Sequence, residues 1–339
     1  MNIESNKSLR SYNSFGFEIS AEWFTSVNTP EQLREALHWA RTTDKTTLIL
    51  GGGSNTLFTR NVDGLVIHIA IPGFETTVTD DQESTLIRVG AGMNWHDLVA
   101  TTLLQKLYGL ENLALIPGSA GAAPIQNIGA YGVELSELLT EVEVLNTRTG
   151  ESDKLSNSDC DFGYRHSTFK TPVGKNFVVT AIHIKLSNRN RPKIEYKALQ
   201  DILEQQNITQ PDCQQVFNSV CDIRRSKLPD PAYLGNAGSF FKNPVITRQQ
   251  LDTLLVDHSD LPNFFQDDGT YKVPAAWLID RAGWKGHRNG AVGVHSEQAL
   301  VLVNHGHGNG QQIAILANEI RNDILQRFNI ALEREPVTY

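Results

Sequence analysis

From Leu113 to Gly132 the chain reads LALIPGSAGAAPIQNIGAYG, a run with neither the period of an amphipathic helix nor the alternation of a strand. Pro117 and Pro124 interrupt it and glycine recurs through it, yet it is too apolar to be a solvated linker. Such a segment is stable only when regular elements pack on it, so the chain must supply a scaffold around an irregular interior strip. Its 339 residues, 40% hydrophobic and 20% charged, suffice for two or three domains with substantial cores.

Regular elements flank the strip. Thr29-Pro30-Glu31 predicts a helix start, with Pro30 at the first helical position and Leu33, Ala36, Leu37 and Ala40 on one apolar stripe. A strand at Thr47–Leu50 runs into Gly51-Gly52-Gly53-Ser54-Asn55, and Leu65–Ile69 is a second strand candidate, which puts the glycine loop at a strand end in an α/β unit. The pattern repeats from Leu86 to Trp95, where a strand ends in Gly90-Ala91-Gly92 and Asn94 is placed to cap a helix reaching Leu104. Beyond the strip, strand-like alternation returns at Val142–Leu145 and Val178–Leu186. Ile194-Glu195-Tyr196 opens a new element, and a helix bearing Val216, Val220 and Ile223 ends near Lys227. Leu228-Pro229-Asp230-Pro231 then punctuates the chain, and a domain boundary is expected near 220–230. A short helix at Pro274–Arg281, a buried strand at Ala299–Val303 and an amphipathic helix at Gln311–Phe328 complete the pattern.

A formal net charge of -8 with no long basic run argues against nucleic acid or an anionic membrane as a partner. The N-terminal MNIESNKSLRSYNSFG lacks an apolar signal core and no apolar run is long enough to span a bilayer, so a cytoplasmic protein is expected. Cys160, Cys213 and Cys221 share no ligand spacing and read as buried thiols. His295, His305 and His307 have no carboxylate or cysteine at a ligand spacing, so no metal site is expected.

Gly51–Thr56 has the form G-x-G-x-x-T, which lacks the last glycine of the dinucleotide fingerprint and the acidic residue that goes with it. No GK[ST] follows any glycine cluster, which removes a Walker loop. Two glycine-rich stretches remain, 51–55 and 117–132, each able to present backbone N–H groups to a pyrophosphate, and one long ligand is able to span both. Further on, Gly235–Pro244 reads GNAGSFFKNP. Gly235, Ala237 and Gly238 leave the Ser239 hydroxyl uncrowded, while Asn236, Lys242 and Asn243 offer donors to an anionic or oxygen-rich partner. Taken alone, the segment reads first as a tight turn with an ordinary exposed serine.

GGGSNTLF at 51–58, GLENLALIPGSAGAAPIQNIGAYGVEL at 109–135, FGYRHSTFK at 162–170 and GNAGSFFKNP at 235–244 occur in that order across nearly the full chain. Together they resemble the UDP-N-acetylenolpyruvoylglucosamine reductase family, in its larger subclass with a substrate-closing tyrosine loop. The resemblance implies an α+β fold with an FAD-binding domain of the vanillyl-alcohol-oxidase (PCMH-like) type over residues 1–220, made of two α/β subdomains split near residue 70. It implies a smaller C-terminal α+β substrate-binding domain over 221–330 and a last strand over 331–339 carrying a catalytic glutamate. Noncovalent FAD is the implied cofactor and NADPH the hydride donor. The implied reaction converts UDP-N-acetylglucosamine enolpyruvate to UDP-N-acetylmuramate in peptidoglycan precursor synthesis, carried out by a monomer.

Residue by residue, the resemblance makes Ser239 the donor of a proton to C2 after hydride reaches C3, supported by Arg165 and Glu335. FAD contacts carry over to Gly51, Gly52, Gly53, Ser54, Asn55 and Leu57 in the first loop. In the strip they carry over to Pro117, Gly118, Ser119, Gly121, Ala122, Ile125, Gly129, Ala130, Tyr131 and Gly132. UDP-sugar contacts carry over to Tyr196 on the closing loop, to Lys227, Asn243 and Gln298, and to Tyr164 and Lys242 in the same cavity. The residue types suit these tasks. A guanidinium stabilises charge that develops on the enolpyruvyl carboxylate, and a lysine is a flexible point charge for a diphosphate. A serine is a poor acid and needs a polarising neighbour such as a carboxylic acid. Gln298 as the start of a strand and Tyr196 as a core residue remain open alternatives.

The C-terminus departs from the family pattern. Leu332-Glu333-Arg334-Glu335-Pro336-Val337 stands where the family commonly reads LEPEV, and Pro336 restricts Glu335 to extended backbone. In a strand Glu333 and Glu335 face the same side, so Glu333 is an alternative carboxylate. A flavin oxidase of the same superfamily often tethers its cofactor through His or Cys near the glycine loop, and Gly51–Phe58 contains neither. A noncatalytic nucleotide-sugar binder would be colourless.

Overall fold

Thr29 opens the first helix with its hydroxyl, which accepts the Gln32 N–H at 3.2 Å, and Pro30 sits where no intrahelical donor is needed. The computed structural model describes residues 1–79 and 82–339. The helix spans Pro30–Thr42 and buries Leu33, Ala36, Leu37 and Ala40. It is the crossover between strands Ser20–Val27 and Thr47–Leu50, which flank Val62–Ile69 and both run parallel to it. Glu4–Ser8 completes this four-stranded sheet beside Ser20–Val27.

The chain leaves that sheet at Ile69 and enters a second one at Phe74. Here Ser152–Ser156, Leu139–Asn146, Phe177–Ser187, Ser84–Gly90 and Phe74–Val78 lie in that order, every neighbouring pair antiparallel. Ile182, Ile184, Ile87 and Val89 are fully buried in its core. Opposite charges occupy the other face. Arg88 reaches the Glu143 carboxylate through contacts of 2.7 and 2.6 Å, and His183 lies 2.8 Å from it.

The Arg88 hydrogen bonds outweigh burial and bring the Glu143 carboxyl down to about 2 from 4.5. A depressed folded-state value stabilises the fold above the ordinary carboxylate range, and that stabilisation is lost as pH falls toward about 2. Discounted for partial exposure, Glu143→Gln is expected to cost about 1–2 kcal/mol at neutral pH. Urea melts should show the gap between variant and wild type closing as pH falls from about 5 to about 2.

Leu113–Gly132 forms an irregular part of this core. Trp95, 1% exposed, begins helix Trp95–Leu104 after the Asn94 cap and donates its indole N–H to the Leu113 carbonyl at 2.9 Å. Ala120–Gln126 is a 3-10 segment containing Pro124, and Leu113, Ala114 and Ala120 are fully buried. Cys160, Cys213 and Cys221 are buried free thiols.

The residues fold into two compact units. The first comprises Met1–Lys7, Ser20–Gly53 and Val62–Ser226, and the second Ser8–Ile19, Ser54–Asn61 and Lys227–Tyr339. The chain passes from the first unit to the second at Ser226–Lys227, the end of helix Cys213–Lys227, whose buried Val216, Val220 and Ile223 pack into the first unit's core. The 331–339 segment, expected as a separate strand, is an integral part of the second unit.

In the second unit, strands Gly235–Ser239, Val301–Asn304, Val292–Val294 and Arg288–Asn289 form an antiparallel sheet in that order. Helix Gly310–Phe328 opens with an Asn309–Gln312 capping box and lays Ile313, Leu316, Ala317, Ile320 and Ile324 on one buried stripe. Phe15 stacks on Phe17 at 5.1 Å and meets Phe240 edge-on at 6.4 Å. The C-terminus is pinned by Val337–Thr338, which pairs in parallel with Thr56–Leu57.

Candidate active site

Backbone meets backbone where the two glycine stretches come together in the first unit. A Cβ on Gly52 would stand 3.0 Å from the Gly118 Cα, and one on Gly51 would stand 2.8 Å from the Ser119 Oγ. Strand Thr47–Leu50 delivers the first stretch. Hydrogen bonds from the Trp95 N–H to the Gly118 carbonyl, 3.0 Å, and from the Ala120 N–H to the Met93 carbonyl, 2.8 Å, fix the second. Gly52, Pro117 and Ala122 are exposed, and Gly118 and Gly121 partly so. Backbone without bulky side chains thus faces solvent, which is the surface a pyrophosphate requires.

Ser54, Asn55 and Leu57, expected beside these glycines on the cofactor, cluster with the second unit. There the Ser54 carbonyl accepts from Ser14 Oγ at 3.4 Å, and the Asn55 carbonyl accepts the Val337 N–H at 3.1 Å. Leu57 is fully buried and its carbonyl accepts the Tyr339 N–H at 2.9 Å.

Two strained turns follow in the first unit. Gly129–Ala130 and Val133–Glu134 pair around Tyr131-Gly132, both left-handed at φ 49 and 82. Glycine takes this geometry freely, whereas for tyrosine it costs about 1–2 kcal/mol. Asn112 holds the Tyr131 carbonyl at 2.8 Å, Tyr196 packs edge-on against its ring at 5.5 Å, and Arg224 hydrogen-bonds its hydroxyl. In the other turn Gly163 and His166 exchange backbone hydrogen bonds around Tyr164-Arg165, with Arg165 at φ 52.

Lys170 Nζ donates to the Arg165 carbonyl at 2.8 Å, and the Arg165 guanidinium donates to the Gly129 carbonyl at 3.1 Å and lies 5.5 Å from the Tyr164 ring. Buried Asn127 ties the turns together by donating to the Glu134 carboxylate at 2.7 Å and the Gly163 carbonyl at 3.3 Å. Ser167 Oγ donates to the Ile125 carbonyl at 2.6 Å, anchoring the strip to the same turn. Left-handed non-glycine residues persist only where their surroundings over-determine them, and such places concentrate at functional sites.

Sequence reasoning missed Asn127, Lys170 and Arg224. Asn127 and Lys170 lie inside motifs already singled out, and only the fold reveals them as braces. Arg224 belongs to a charged helix end, Arg224-Arg225-Ser226-Lys227, which carries no sequence signal of burial. It donates to the Leu115 carbonyl at 3.1 Å, and burial, with nearby Arg165 adding to it, disfavours its charge.

In the second unit Gly235–Ser239 is a strand, not the turn its composition first suggests. Between Asn236↔Val303 and Ser239↔Val301 it carries one extra residue, a β-bulge with Gly238 at φ 68. Ser239 is exposed at the strand's end. Asn236 is not available to a ligand. It is 2% exposed, donates to the Pro229 and Leu234 carbonyls at 3.0 and 2.8 Å, and accepts the Gly238 N–H at 2.8 Å. Gly235 is small for packing, since a Cβ there would stand 2.2 Å from the Phe15 carbonyl oxygen.

Just past Ser239, the Glu335 N–H donates to the Phe240 carbonyl and the Lys242 N–H to the Glu333 carbonyl, both at 2.9 Å, with Phe241 opposite Arg334. This antiparallel pairing puts Glu333 and Glu335 on one face. Lys242 Nζ lies 2.5 Å from the Glu333 carboxylate, whose side chain is 70% exposed, whereas Glu335 is half-buried. Asn243 Oδ1 accepts the Ala275 N–H at 3.0 Å, ahead of helix Ala275–Arg281. Gln298 sits in the turn before Val301, and Lys227 is the exposed last residue of its helix. Tyr131, Tyr164, Arg165 and Tyr196 thus gather in one unit, and Ser239, Lys242, Asn243 and Glu335 in the other.

Known proteins supply a context for these two groups. Residues 230–339 match the C-terminal domain of UDP-N-acetylenolpyruvoylglucosamine reductase, and residues 22–156 match an FAD binding domain. The UDP-N-acetylenolpyruvoylglucosamine reductase of Pseudomonas putida is 43% identical over 332 residues, covering 98% of this chain and 97% of that one. The solved structure of the Thermus caldophilus reductase of the same name superposes with a TM-score of 0.69 at 25% identity, covering 100% of this chain and 99% of that one. 6-Hydroxy-D-nicotine oxidase from Arthrobacter nicotinovorans shares the fold at a TM-score of 0.52 and 11% identity, covering 96% of this chain and 85% of that one.

Proposed function

The chain belongs to the UDP-N-acetylenolpyruvoylglucosamine reductase family, and we propose that Ser239, Arg165 and Glu335 carry its proton chemistry while the glycine junction holds its cofactor. The enzyme reduces UDP-N-acetylglucosamine enolpyruvate for peptidoglycan precursor synthesis. FAD, when bound, supplies the hydride that NADPH provides. The observation that carries the cofactor reading is the approach of Gly51 and Gly52 to Gly118 and Ser119, so close that no Cβ fits between the loops, which brings two stretches of side-chain-poor, solvent-facing backbone together at one place. Backbone N–H groups there take the pyrophosphate, and the hairpin at Gly129–Gly132 extends the contact.

Addition of hydride at C3 leaves negative charge delocalised into the substrate carboxylate. Arg165 binds that carboxylate and stabilises the charge. Ser239 Oγ then gives its proton to C2, which forms the new C–H bond and leaves an alkoxide. Glu335, as the acid, polarises the hydroxyl and returns a proton to it. The pairing of the Glu335 N–H with the carbonyl of Phe240, next after Ser239, supports this partnership. Lys227 serves the diphosphate, Asn243 and Gln298 the nucleotide and sugar, and Tyr164 and Tyr196 enclose the sugar end. Lys242, already matched with Glu333, contributes by orienting that strand. NADPH and nucleotide sugars are cytoplasmic metabolites, and the enzyme acts there as a monomer. No helix among the described residues is long and apolar enough to cross a membrane.

One anaerobic trace tests this reading. The purified full chain should be yellow and release its colour on denaturation, NADPH should bleach the flavin absorbance, and the enolpyruvyl UDP-sugar should restore it. A flavin that stays bleached with that substrate, yet reoxidises rapidly in oxygen after reduction by a sugar alcohol, would assign the chain to the oxidases instead.

A further inference from the structure

Leu115 stands in the left-handed region at φ 56, two residues ahead of Pro117. Its backbone is gripped from both sides. The Leu115 N–H donates to His96 Nδ1 at 3.1 Å, and its carbonyl accepts from Arg224 Nε at 3.1 Å. His96, in the first turn of helix Trp95–Leu104, stacks on Phe217 with ring centroids 5.5 Å apart and planes 5° apart. The ring is therefore held in orientation independently of the hydrogen bond it accepts.

We propose that His96 is a positioning residue for the FAD-binding loop. By accepting the Leu115 N–H it holds, together with Arg224, the left-handed turn that sets Pro117–Ser119 against Gly51–Gly52. The inference rests on the reading that this junction holds the pyrophosphate. Without the acceptor, the Leu115 peptide loses the contact that compensates its conformation, and the following loop no longer meets the first stretch in a single arrangement.

An acceptor at Nδ1 requires a neutral ring with its proton on Nε2. Burial disfavours the cation most, Arg225 and Arg224 of the adjacent helix disfavour it further, and Asp97 on its own helix favours it, so the ring titrates below its ordinary 6.5. FAD affinity should hold steady at neutral pH and fall as acid protonates His96.

The test uses the full chain stripped of flavin and titrated with FAD, following flavin fluorescence, with thermal melts to confirm folding. His96→Phe keeps the stack but removes the acceptor, and is expected to weaken FAD binding about tenfold or more. His96→Asn restores an acceptor at the same reach, and should stay within about threefold of wild type and lose the acid-side fall. His96→Phe binding FAD like wild type, or His96→Asn binding as poorly as His96→Phe, would overturn the role. If His96→Phe does not fold, the acid-side fall in wild type and its absence in His96→Asn decide the question. Gly52→Val separates the two readings. Unchanged FAD affinity in Gly52→Val removes the junction itself, whereas loss there with full affinity in His96→Phe removes only the part assigned to His96.

Discussion

Ser239→Ala should leave reduction of the flavin by NADPH within about threefold of wild type and slow its reoxidation by the enolpyruvyl substrate by about four orders of magnitude or more. Only the second half-reaction consumes a proton at C2. The substitution is structurally mild, because Ser239 is exposed at a strand end and the left-handed geometry of the bulge is taken by Gly238. No replacement donor comes from Asn236, whose amide is committed to the Pro229 and Leu234 carbonyls. Stopped-flow measurements of the two half-reactions under anaerobic conditions separate the outcomes. Equal losses in both would move Ser239 from proton delivery to structure or binding.

The parts of the fold that were legible in the sequence are those whose signals are local. Thr29-Pro30 and Asn309–Gln312 mark helix starts through a cap and an apolar stripe, and the helices run Pro30–Thr42 and Gly310–Phe328. Ser20–Val27 gave no such signal, since its burial departs from strict alternation. The assignment of Ser8–Ile19 and Ser54–Asn61 to the second unit was hidden for a different reason. It rests on pairings between residues far apart in the chain, such as Asn304 with Phe15 and Val337 with Asn55.

The candidate site divides in the same way. That the stretches 51–55 and 117–132 are able to lie together follows from their lack of bulky side chains, and Gly51 and Gly52 do meet Gly118 and Ser119. Left-handed Leu115, Tyr131 and Arg165 did not follow, because nothing in those residue types announces a positive φ. Asn236 was misread because an amide serves backbone and ligand with the same atoms, and only its burial decides.

Glu335→Gln should slow substrate-dependent reoxidation about a hundredfold to a thousandfold, whereas Glu333→Gln should change it by no more than about threefold. Both residues project from one face of the tail, so sequence alone leaves them equivalent. Their surroundings differ. Glu333 is largely exposed and its carboxylate is already engaged by the Lys242 ammonium at 2.5 Å. Losing that pair should appear as a modest loss of stability rather than of rate. Glu335 is half-buried, and its N–H is bonded to the carbonyl of the residue after Ser239. Pro336 restricts Glu335 to extended backbone, and Val337–Thr338 pairs with Thr56–Leu57 immediately beyond, so the position is clamped on both sides. A glutamine retains the length and the backbone contacts while removing the acid, which makes the rate of the second half-reaction a direct readout of that proton. A larger effect from Glu333→Gln would transfer the role to Glu333, and two equally small effects would leave Ser239 polarised by some group outside the tail.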